Sequence, residues 1–285
     1  MEYMIEVDGL NKSYPGFQLK DVSFKVPGGC IMGLIGENGA GKSTTLKAIL
    51  DLIRMDSGSI QVFGKDSRRD GVWIRENVGT VLDGAGFHES LTAMEIQKFM
   101  HRIYKNWDED YYIQLLKKFS IPEDKKIKDF STGMKMKLLI ASAIAHRPKL
   151  LILDEATSGL DPVVRDEILD MLLEFIQDEE HSVLISSHIT SDLEKVADYI
   201  TFIHKGEVLL SEEKDRIMEE YGILHCGEGD LSKIPEDCIV SVDRSIYRCD
   251  VLVNHREELK QAYPEFIIDR IRLEDILLFK VKGER

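Results

Sequence analysis

The sequence predicts an α/β fold with a mostly parallel core sheet, an antiparallel β-subdomain before it and a smaller α+β region after it. Two observations carry this prediction. Segments 150–153 and 182–186 are short, and the first is apolar throughout while the second is apolar from 183 to 185, as expected of strands covered on both faces. A segment with helical character separates them, and strands that alternate with helices indicate a parallel sheet.

The N-terminal part alternates apolar and polar residues, which is typical of half-buried antiparallel strands. Segments 4–7 and 19–26 show this alternation, and the turn-rich Ser13-Tyr14-Pro15-Gly16 separates them. We therefore expect a small antiparallel β-subdomain. It leads into the apolar run 31–35, which we interpret as the first strand of the core.

A helical insert is expected to interrupt the core between residues 84 and 147. Two strand-like segments, 58–64 and 78–82, precede it, and the second ends at Asp83. The predicted helices of the insert have apolar residues at helical spacing without β-branched runs, and they span 91–105, 108–119 and 131–145. After the insert, Asp161 followed by proline predicts the N-cap and first turn of a helix over 162–176.

We divide the chain into a main domain, residues 1–215, and an accessory domain, residues 216–285. A mostly helical link over 212–220 is expected to join them. In the accessory domain the pattern predicts strands at 238–242, 248–253 and 266–271 and helices at 257–262 and 273–281. The accessory domain has no recognisable chemical motif, so packing or partner contact is its expected role.

The composition excludes several classes of protein. The chain has 37 Lys and Arg against 51 Asp and Glu, a net charge of −14, so a general attraction to nucleic acid or anionic lipid is not expected. No apolar run approaches the ~18 residues of a membrane helix, and the N-terminus lacks the pattern of a signal peptide, so we expect a soluble cytosolic chain. The cysteines lack the spacing of a zinc site and are expected to be buried or incidental thiols: Cys30, Cys226, Cys238 and Cys249.

Residues 36–44 fit the phosphate-binding pattern G-x-x-x-x-G-K-[ST] between a predicted strand and a predicted helix. Glycines let successive backbone N–H groups converge on an anion, and the helix directs its positive end at the same point. Lys42 adds a charge for the β- and γ-phosphates, and the Ser43 hydroxyl is expected to bind Mg²⁺. The alternative, a glycine-rich turn, does not account for the flanking elements. The predicted nucleotide-binding residues here are Asn38, Gly39, Ala40, Gly41, Lys42, Ser43 and Thr44.

Two consecutive carboxylates, Asp154 and Glu155, follow the apolar segment 150–153. Charge at the end of a buried strand is costly unless something cationic binds there. Asp154 is a predicted Mg²⁺ ligand, directly or through water, and Glu155 is the predicted base for a water that attacks the γ-phosphate. The alternative is an ordinary acidic pair at the surface, which the preceding apolar run and the phosphate loop disfavour.

The segment Phe130-Ser131-Thr132-Gly133-Met134-Lys135 looks like the signature motif of ATP-binding cassette (ABC) transporters. Over roughly residues 1–215 the chain resembles the nucleotide-binding ATPase subunit of that family. The resemblance implies that Ser131 and Gly133 open a helix whose N–H groups form a second anion site. In this family that site closes on the nucleotide held by a partner subunit. Thr132 stands where the family usually has Gly, a departure that bears on the strength of closure.

Further positions match the family in the same order along the chain. Segment 158–161 is similar to its dimer-interface loop, which makes Asp161 an expected nucleotide-site residue. His188 looks like the switch histidine, which is expected to hydrogen-bond the γ-phosphate. Tyr14 lies where the family stacks adenine, although a turn anchor is the alternative interpretation. Asp83 falls where the family commonly has Gln, and a carboxylate there is still able to touch Mg²⁺ or the attacking water.

The resemblance implies an ATPase that uses ATP and Mg²⁺ and closes as a dimer with a second ATPase subunit. The motion is expected to pass through residues 84–91 to a separately encoded transmembrane permease, at the cytoplasmic face of the cell membrane and without nucleic acid. The subgroup it resembles exports antibiotics, bacteriocins and peptides from bacteria. One alternative is a soluble mechanical or regulatory ATPase of the same fold, which usually carries two cassettes or a long coiled-coil insert. Another is a catalytically idle subunit, and the argument against it is the presence of Lys42, Asp154, Glu155 and His188.

Overall fold

The structure is a computed structural model, and it describes residues 3–245 and 248–282. The strands are β1 Tyr3–Tyr14, β2 Phe17–Pro27, β3 Ile31–Ile35, β4 Ser57–Val62, β5 Lys65–Asp66, β6 Val78–Val81, β7 Leu150–Asp154, β8 Ser182–Ser187, β9 Tyr199–His204, β10 Glu207–Glu213, β11 Gly222–Cys226, β12 Ile239–Arg244, β13 Cys249–Val253 and β14 Ile267–Arg270. The α-helices are α1 Lys42–Ile49, α2 Gly71–Asn77, α3 Ala93–Ile103, α4 Glu109–Lys118, α5 Thr132–Ile144, α6 Pro162–Phe175, α7 Thr190–Val196, α8 Lys214–Glu220, α9 Arg256–Ala262 and α10 Leu273–Lys282. Short 3₁₀ turns span Ile127–Asp129, Glu228–Lys233 and Glu236–Cys238.

The first sheet is antiparallel, with strand order β2-β1-β4-β5. β1 and β2 form a hairpin whose last pair is Tyr14 opposite Phe17. The inward side chains of β1 are buried, with Ile5 and Val7 at most 2% exposed, as the alternation in the sequence predicts. The antiparallel β-subdomain is therefore confirmed, and it also contains the strand predicted at 58–64.

The central sheet has the order β10-β9-β3-β8-β7-β6. Neighbours from β9 to β6 are parallel, and β10 is antiparallel to β9. Every residue of β3, β7 and β8 is buried, which explains the apolar runs 31–35, 150–153 and 183–185 within them. The mostly parallel core is confirmed. Its strands β3, β7 and β8 end at Ile35, Asp154 and Ser187, so their carboxyl ends share one edge of the sheet.

The helical insert contains α3, α4 and α5, each one or two residues shorter at both ends than predicted. N-caps explain where these helices begin. Thr92 and Glu95 form a capping box at α3, Asp108 caps α4, and Ser131 caps α5. The helical insert is therefore confirmed.

The C-terminal residues form a third sheet, which is antiparallel with the order β12-β13-β11-β14. One face has its own buried cluster, including Leu224, Val251 and Leu259. The other face carries Leu252, which joins Ile276 of α10 in the hydrophobic cluster of the main domain. The α+β character is confirmed, and the division between residues 215 and 216 stays a prediction.

Several strands and α-helices were not predicted: α2, α7, β5, β9, β10 and β11. β10 continues to Glu213, so the helical link expected from residue 212 begins as a strand, and α8 starts only at Lys214. The prediction of that start was wrong because cross-strand pairing decides the conformation there: Glu212 pairs with Ile200 and Glu213 with Tyr199 of β9.

Two expectations from composition concern the structure directly. All four cysteines are buried and unpaired, as predicted. Within residues 3–245 and 248–282, none of the helices combines the length and the apolar character that crossing a membrane requires.

Candidate nucleotide site

The phosphate loop lies between the end of β3 and the start of α1, as its sequence pattern predicts. Gly39 and Gly41 have φ values of 83° and 115°, in a region that glycine occupies without the strain a side chain causes. A Cβ on Gly41 would also lie 2.6 Å from the Leu19 side chain, so space requires glycine here as well. α1 begins at Lys42, and the N–H groups of its first turn lack helical partners. The loop is therefore a backbone cradle suited to an anion.

The turn between β9 and β10 supports this loop. The N–H of Gly206 donates to the carbonyl of Ala40 at 2.9 Å, and the Gly206 carbonyl accepts from the N–H of Lys20 at 2.8 Å. Within the loop, Oε1 of Glu37 lies 3.0 Å from Nδ1 of His204, the last residue of β9. Since Lys20 belongs to β2, these contacts tie the loop to both the first and the central sheet.

A cleft of about 310 Å³ opens over the loop. It is at the lower end of the volumes of small-molecule sites, which suits the phosphates rather than a whole nucleotide. Ala40 is buried behind it, at 1% exposure. The cleft is lined by Phe17, Glu37, Asn38, Gly39, Gly41, Lys42, Ser43, Thr44, Asp83 and Glu155.

Lys42, Glu155 and His188 form one polar chain at this cleft. The Lys42 Nζ lies 3.0 Å from Glu155 Oε1 and donates to the Gly36 carbonyl at 2.7 Å. The second oxygen of Glu155, Oε2, lies 2.6 Å from Nδ1 of His188. The Lys42 and Glu155 side chains are only 5% and 13% exposed, and charges interact more strongly in such surroundings than in water. The structure therefore brings the three predicted catalytic residues together.

The backbone of Glu155 has a φ of 54°, which is uncommon for a residue with a side chain. Two contacts hold it there, because its N–H donates to the carbonyl of Ser186 at 3.2 Å and to the Ser186 Oγ at 3.1 Å. β8 thus fixes the backbone that directs the Glu155 carboxylate toward Lys42. Backbone strain of this kind concentrates at functional sites.

Asp154 is 1% exposed at the end of β7, and its Oδ1 accepts from the Ser186 Oγ at 2.6 Å. Its other oxygen, Oδ2, is buried without a hydrogen-bond partner among the residues that the structure describes. Such an oxygen costs about 1–3 kcal/mol or more unless a cation uses it. Ser43 and Asp83 line the adjoining cleft and offer the oxygen ligands that Mg²⁺ prefers. This donor set fits a magnesium ion.

Ser131, Gly133 and Asp161 lie at the starts of two other helices and are not among the residues that line the cleft. Ser131 caps α5 by accepting from the N–H of Met134 at 3.2 Å, and Asp161 caps α6 by accepting from the N–H of Val164 at 3.1 Å. A Cβ on Gly133 would lie 2.9 Å from the Val164 side chain, so the two helices approach closely there. The predicted helix starts are confirmed, and contact with a nucleotide stays a prediction.

Tyr14 is 43% exposed at the end of β1 and is also not among the residues that line the cleft. The Lys12 Nζ lies 5.2 Å from the centre of its ring. Its cross-strand partner, Phe17, lines the cleft instead. Stacking of adenine on Tyr14 stays a prediction, and Phe17 is an aromatic neighbour of the loop that sequence reasoning missed.

Ser186 is a second residue that the sequence analysis did not assign to the site. It is fully buried, and it contacts both Asp154 and Glu155. A signal for it was available, since the polar pair Ser186-Ser187 ends an apolar strand at the sheet edge where Asp154 was expected. No comparable signal marks Phe17, because only the folded hairpin brings β2 to the loop.

Comparison with known proteins agrees with this geometry. The ABC transporter family profile matches residues 19–158. The chain is 31% identical to the ABC transporter ATP-binding protein YtrB of Bacillus subtilis (strain 168), an alignment that covers 99% of each chain. It is 38% identical to the lantibiotic transport ATP-binding protein SrtF of Streptococcus pyogenes, over 74% of this chain and 92% of that protein. It is 34% identical to the bacitracin transport ATP-binding protein BcrA of Enterococcus faecalis, over 73% of this chain and 69% of that protein.

Solved structures show the same likeness. An ATP-binding subunit of an ABC transporter superposes with a TM-score of 0.68 at 30% identity, over 75% of this chain and 91% of that one. The cbiO1 protein of Clostridium perfringens, part of the ABC transporter complex cbiONQ, superposes with a TM-score of 0.66 at 28% identity, over 76% and 91%. The predicted fold of a phosphate-loop ATPase is thereby confirmed.

Proposed function

This chain belongs to the ABC transporter family, and we propose that it is the ATP-hydrolysing subunit of a bacterial exporter of antibiotics or peptides. The observation that carries this proposal is the chain of contacts from Lys42 through Glu155 to His188 beside the phosphate loop. These contacts join a cation suited to phosphates, a carboxylate suited to act as a base and an imidazole. A catalytically idle subunit would not require all three.

Hydrolysis begins with an exchange of partners. Lys42 gives up its contact with Glu155 and binds the β- and γ-phosphates, which leaves the carboxylate free to act as a base. A water oxygen then attacks the γ-phosphorus, its proton passes to Glu155, and the bond to the β-phosphate breaks with its electron pair leaving on ADP. His188 keeps the carboxylate oriented through the contact at 2.6 Å.

The residues proposed to hold Mg²⁺ are Ser43, Asp154 and Asp83. The unpartnered oxygen of Asp154 at the end of β7 is the main support for this assignment. When bound, the ion supplies positive charge that neutralises the phosphate oxygens. Asp154 itself remains fixed by its hydrogen bond from Ser186.

We further propose that two ATPase subunits close on the nucleotide. Ser131 and Gly133 open α5, whose N-terminal N–H groups suit the γ-phosphate of ATP bound to a second subunit. Asp161 follows the interface-type loop at the start of α6, and Tyr14 is the proposed stacking partner of adenine. Support for closure comes from Ser131, Gly133 and Asp161, which lie outside the phosphate cleft of their own chain.

The proposed membrane partner is a separately encoded permease, which would keep this subunit at the cytoplasmic face of the cell membrane. The relatives SrtF and BcrA are transport ATP-binding proteins for a lantibiotic and for bacitracin, and this supports export of a peptide or antibiotic. Residues 84–91, at the entry to the helical insert, are the proposed contact. Nearby on α3, Phe99 and Ile103 are 59% and 52% exposed, which is consistent with a covered position in the complete transporter.

The proposal is tested by expressing tagged Glu155→Gln protein in its native cell, solubilising membranes with Mg-ATP and identifying what co-purifies. We expect a stoichiometric protein with several membrane spans. Tagged Lys42→Ala protein is the matched control for dependence on the nucleotide. Recovery of only soluble partners, ribosomes or DNA would instead favour a soluble mechanical ATPase of the same family.

A further inference from the structure

The short helix α7 lies in space between His188 and the accessory domain, residues 216–285. It begins at Thr190, two residues after His188, and has seven residues; among the residues that the structure describes, no side chain caps its N-terminus. So short a helix is marginal on its own. Its position is therefore set by the elements that pack against it.

The backbone between β8 and α7 has little slack. The N–H of Ile189 donates to the Ser187 Oγ at 2.9 Å, which closes a tight turn around His188. A displacement of α7 is therefore passed to the His188 ring. Since Nδ1 of that ring lies 2.6 Å from Glu155, even a small shift changes the contact with the base.

Glu194 joins α7 to two helices of the C-terminal region. Its Oε1 accepts from the N–H of Leu273, the first residue of α10, at 2.6 Å. Its backbone carbonyl accepts from the Nζ of Lys214, the first residue of α8, at 3.0 Å. A carboxylate at a helix N-terminus is favoured by the free N–H groups and by the helix dipole. Glu194 is thus bonded to the helix that leads into the accessory sheet and to the helix that follows it.

Apolar packing follows the same route. Leu273 and Ile276 of α10 are fully buried in one cluster with Leu193 and Val196 of α7. On the other side, Leu193 approaches β3 so closely that a Cβ on Gly33 would lie 2.8 Å from it. α7 is therefore packed between the central sheet and α10.

We propose that Glu194 is a positioning residue for ATP hydrolysis, through which the accessory domain holds α7 and keeps His188 beside Glu155. This inference rests on the proposed function, because it assigns a role within hydrolysis. In this proposal the C-terminal region contributes to the rate of ATP hydrolysis. A change that displaces α10 lowers the rate of hydrolysis while the phosphate loop stays intact.

The test compares steady-state ATP hydrolysis by the full-length wild type, Glu194→Ala and Glu194→Gln. We expect Glu194→Ala to lower kcat at least about threefold with KM for ATP within about twofold, because the cradle is untouched. Glu194→Gln keeps an acceptor oxygen and should restore most of the rate. Glu219→Ala removes an exposed glutamate of α8 and should match the wild type. Should Glu194→Ala fail to fold, Glu194→Asp takes its place, since it keeps the carboxylate and shortens the side chain by one methylene.

A double-mutant cycle separates positioning from general stability. In a His188→Ala background the substitution of Glu194 should have no further effect on kcat, because the residue that it positions is absent. An equal loss in both backgrounds, or an unchanged kcat when His188 is present, would overturn the proposal. Failure of the proposed function looks different, because the wild type itself would then hydrolyse no ATP.

Discussion

The Nζ of Lys42 lies 3.0 Å from Oε1 of Glu155, so the proposed phosphate-binding cation is paired with the proposed catalytic base. Their proposed roles require the two side chains to separate, because Lys42 must reach phosphate oxygens and Glu155 must face a water. We therefore expect ATP binding to replace one ion pair with another. In the proposed mechanism the carboxylate becomes available when the substrate binds, and the contact with His188 keeps it oriented.

The first prediction concerns the cation. Lys42→Ala should weaken ATP binding by about tenfold or more, because a charge-assisted contact with the phosphates is lost and the Glu155 carboxylate is left unpaired beside them. Isothermal titration of the purified protein with Mg-ATP measures the change. Lys47→Ala, on the same helix, is the control. An unchanged affinity in the Lys42 variant would count against the assignment of the phosphate loop.

The second prediction concerns the turn behind the loop. Gly206 has a φ of 81°, and a Cβ there would lie 1.8 Å from the carbonyl oxygen of Gln18. Gly206→Ala should therefore lower the free energy of unfolding by about 2–5 kcal/mol, from backbone strain and overpacking together. It should also weaken ATP binding, because the N–H of Gly206 supports Ala40.

Gly64 supplies the matched control for this variant. Its φ is 70°, but a Cβ there would meet no atom of residues 3–245 or 248–282 within 4 Å. Gly64→Ala should thus lower the free energy of unfolding only through backbone strain, by about 1–2 kcal/mol, and leave the affinity for ATP unchanged. Denaturant unfolding of both variants gives the comparison. Equal losses of unfolding free energy in the two variants would show that the close approach to Gln18 does not contribute to the destabilisation.

The third prediction concerns pH. His146 is 1% exposed and stacks on Tyr104 with ring centres 4.0 Å apart. Burial lowers the pKa of His146 from 6.5 to about 4, against a smaller opposite effect of the Val78 backbone. Between these values the unfolded chain binds a proton that the folded protein does not. The stability contributed by the neutral ring is therefore complete above pH 6.5 and is lost as the pH falls toward 4.

Between pH 6.5 and about 4, His146 alone should lower the free energy of unfolding by about 3 kcal/mol. Denaturant unfolding at several pH values measures the slope for the wild type. His146→Phe removes the titrating group and should flatten the curve, whereas His101→Gln, at an exposed position of α3, should leave it unchanged. The account of His146 fails if its variant keeps the full dependence on pH.

Much of the fold could be predicted because its signals are local. The runs 150–153 and 183–185 are apolar throughout, since both faces of their strands are covered. The phosphate loop is equally local, because its glycines and Lys42 act within nine consecutive residues. Asp154 and Glu155 could be predicted for the same reason, as charge directly after a buried strand needs an explanation.

The remaining features depend on contacts between distant parts of the chain. Ser186 joins the site because β7 and β8 pair in a register that sets Ser186 opposite Asp154. That register is decided by packing rather than by either strand alone. α7 is too short to show a helical period in the sequence. Its link to the accessory domain through Glu194 appears only once α10 is folded against it.

The measurement that tests the central claim most directly is ATP hydrolysis and ATP binding by Glu155→Gln beside the wild type. Removing the base should lower kcat by at least about 10²-fold. Affinity for Mg-ATP should be equal or higher, because a neutral amide no longer holds Lys42 as an ion pair. Glu219→Gln is the control. Near-normal hydrolysis by Glu155→Gln would contradict the account, because the base would then have to be another residue.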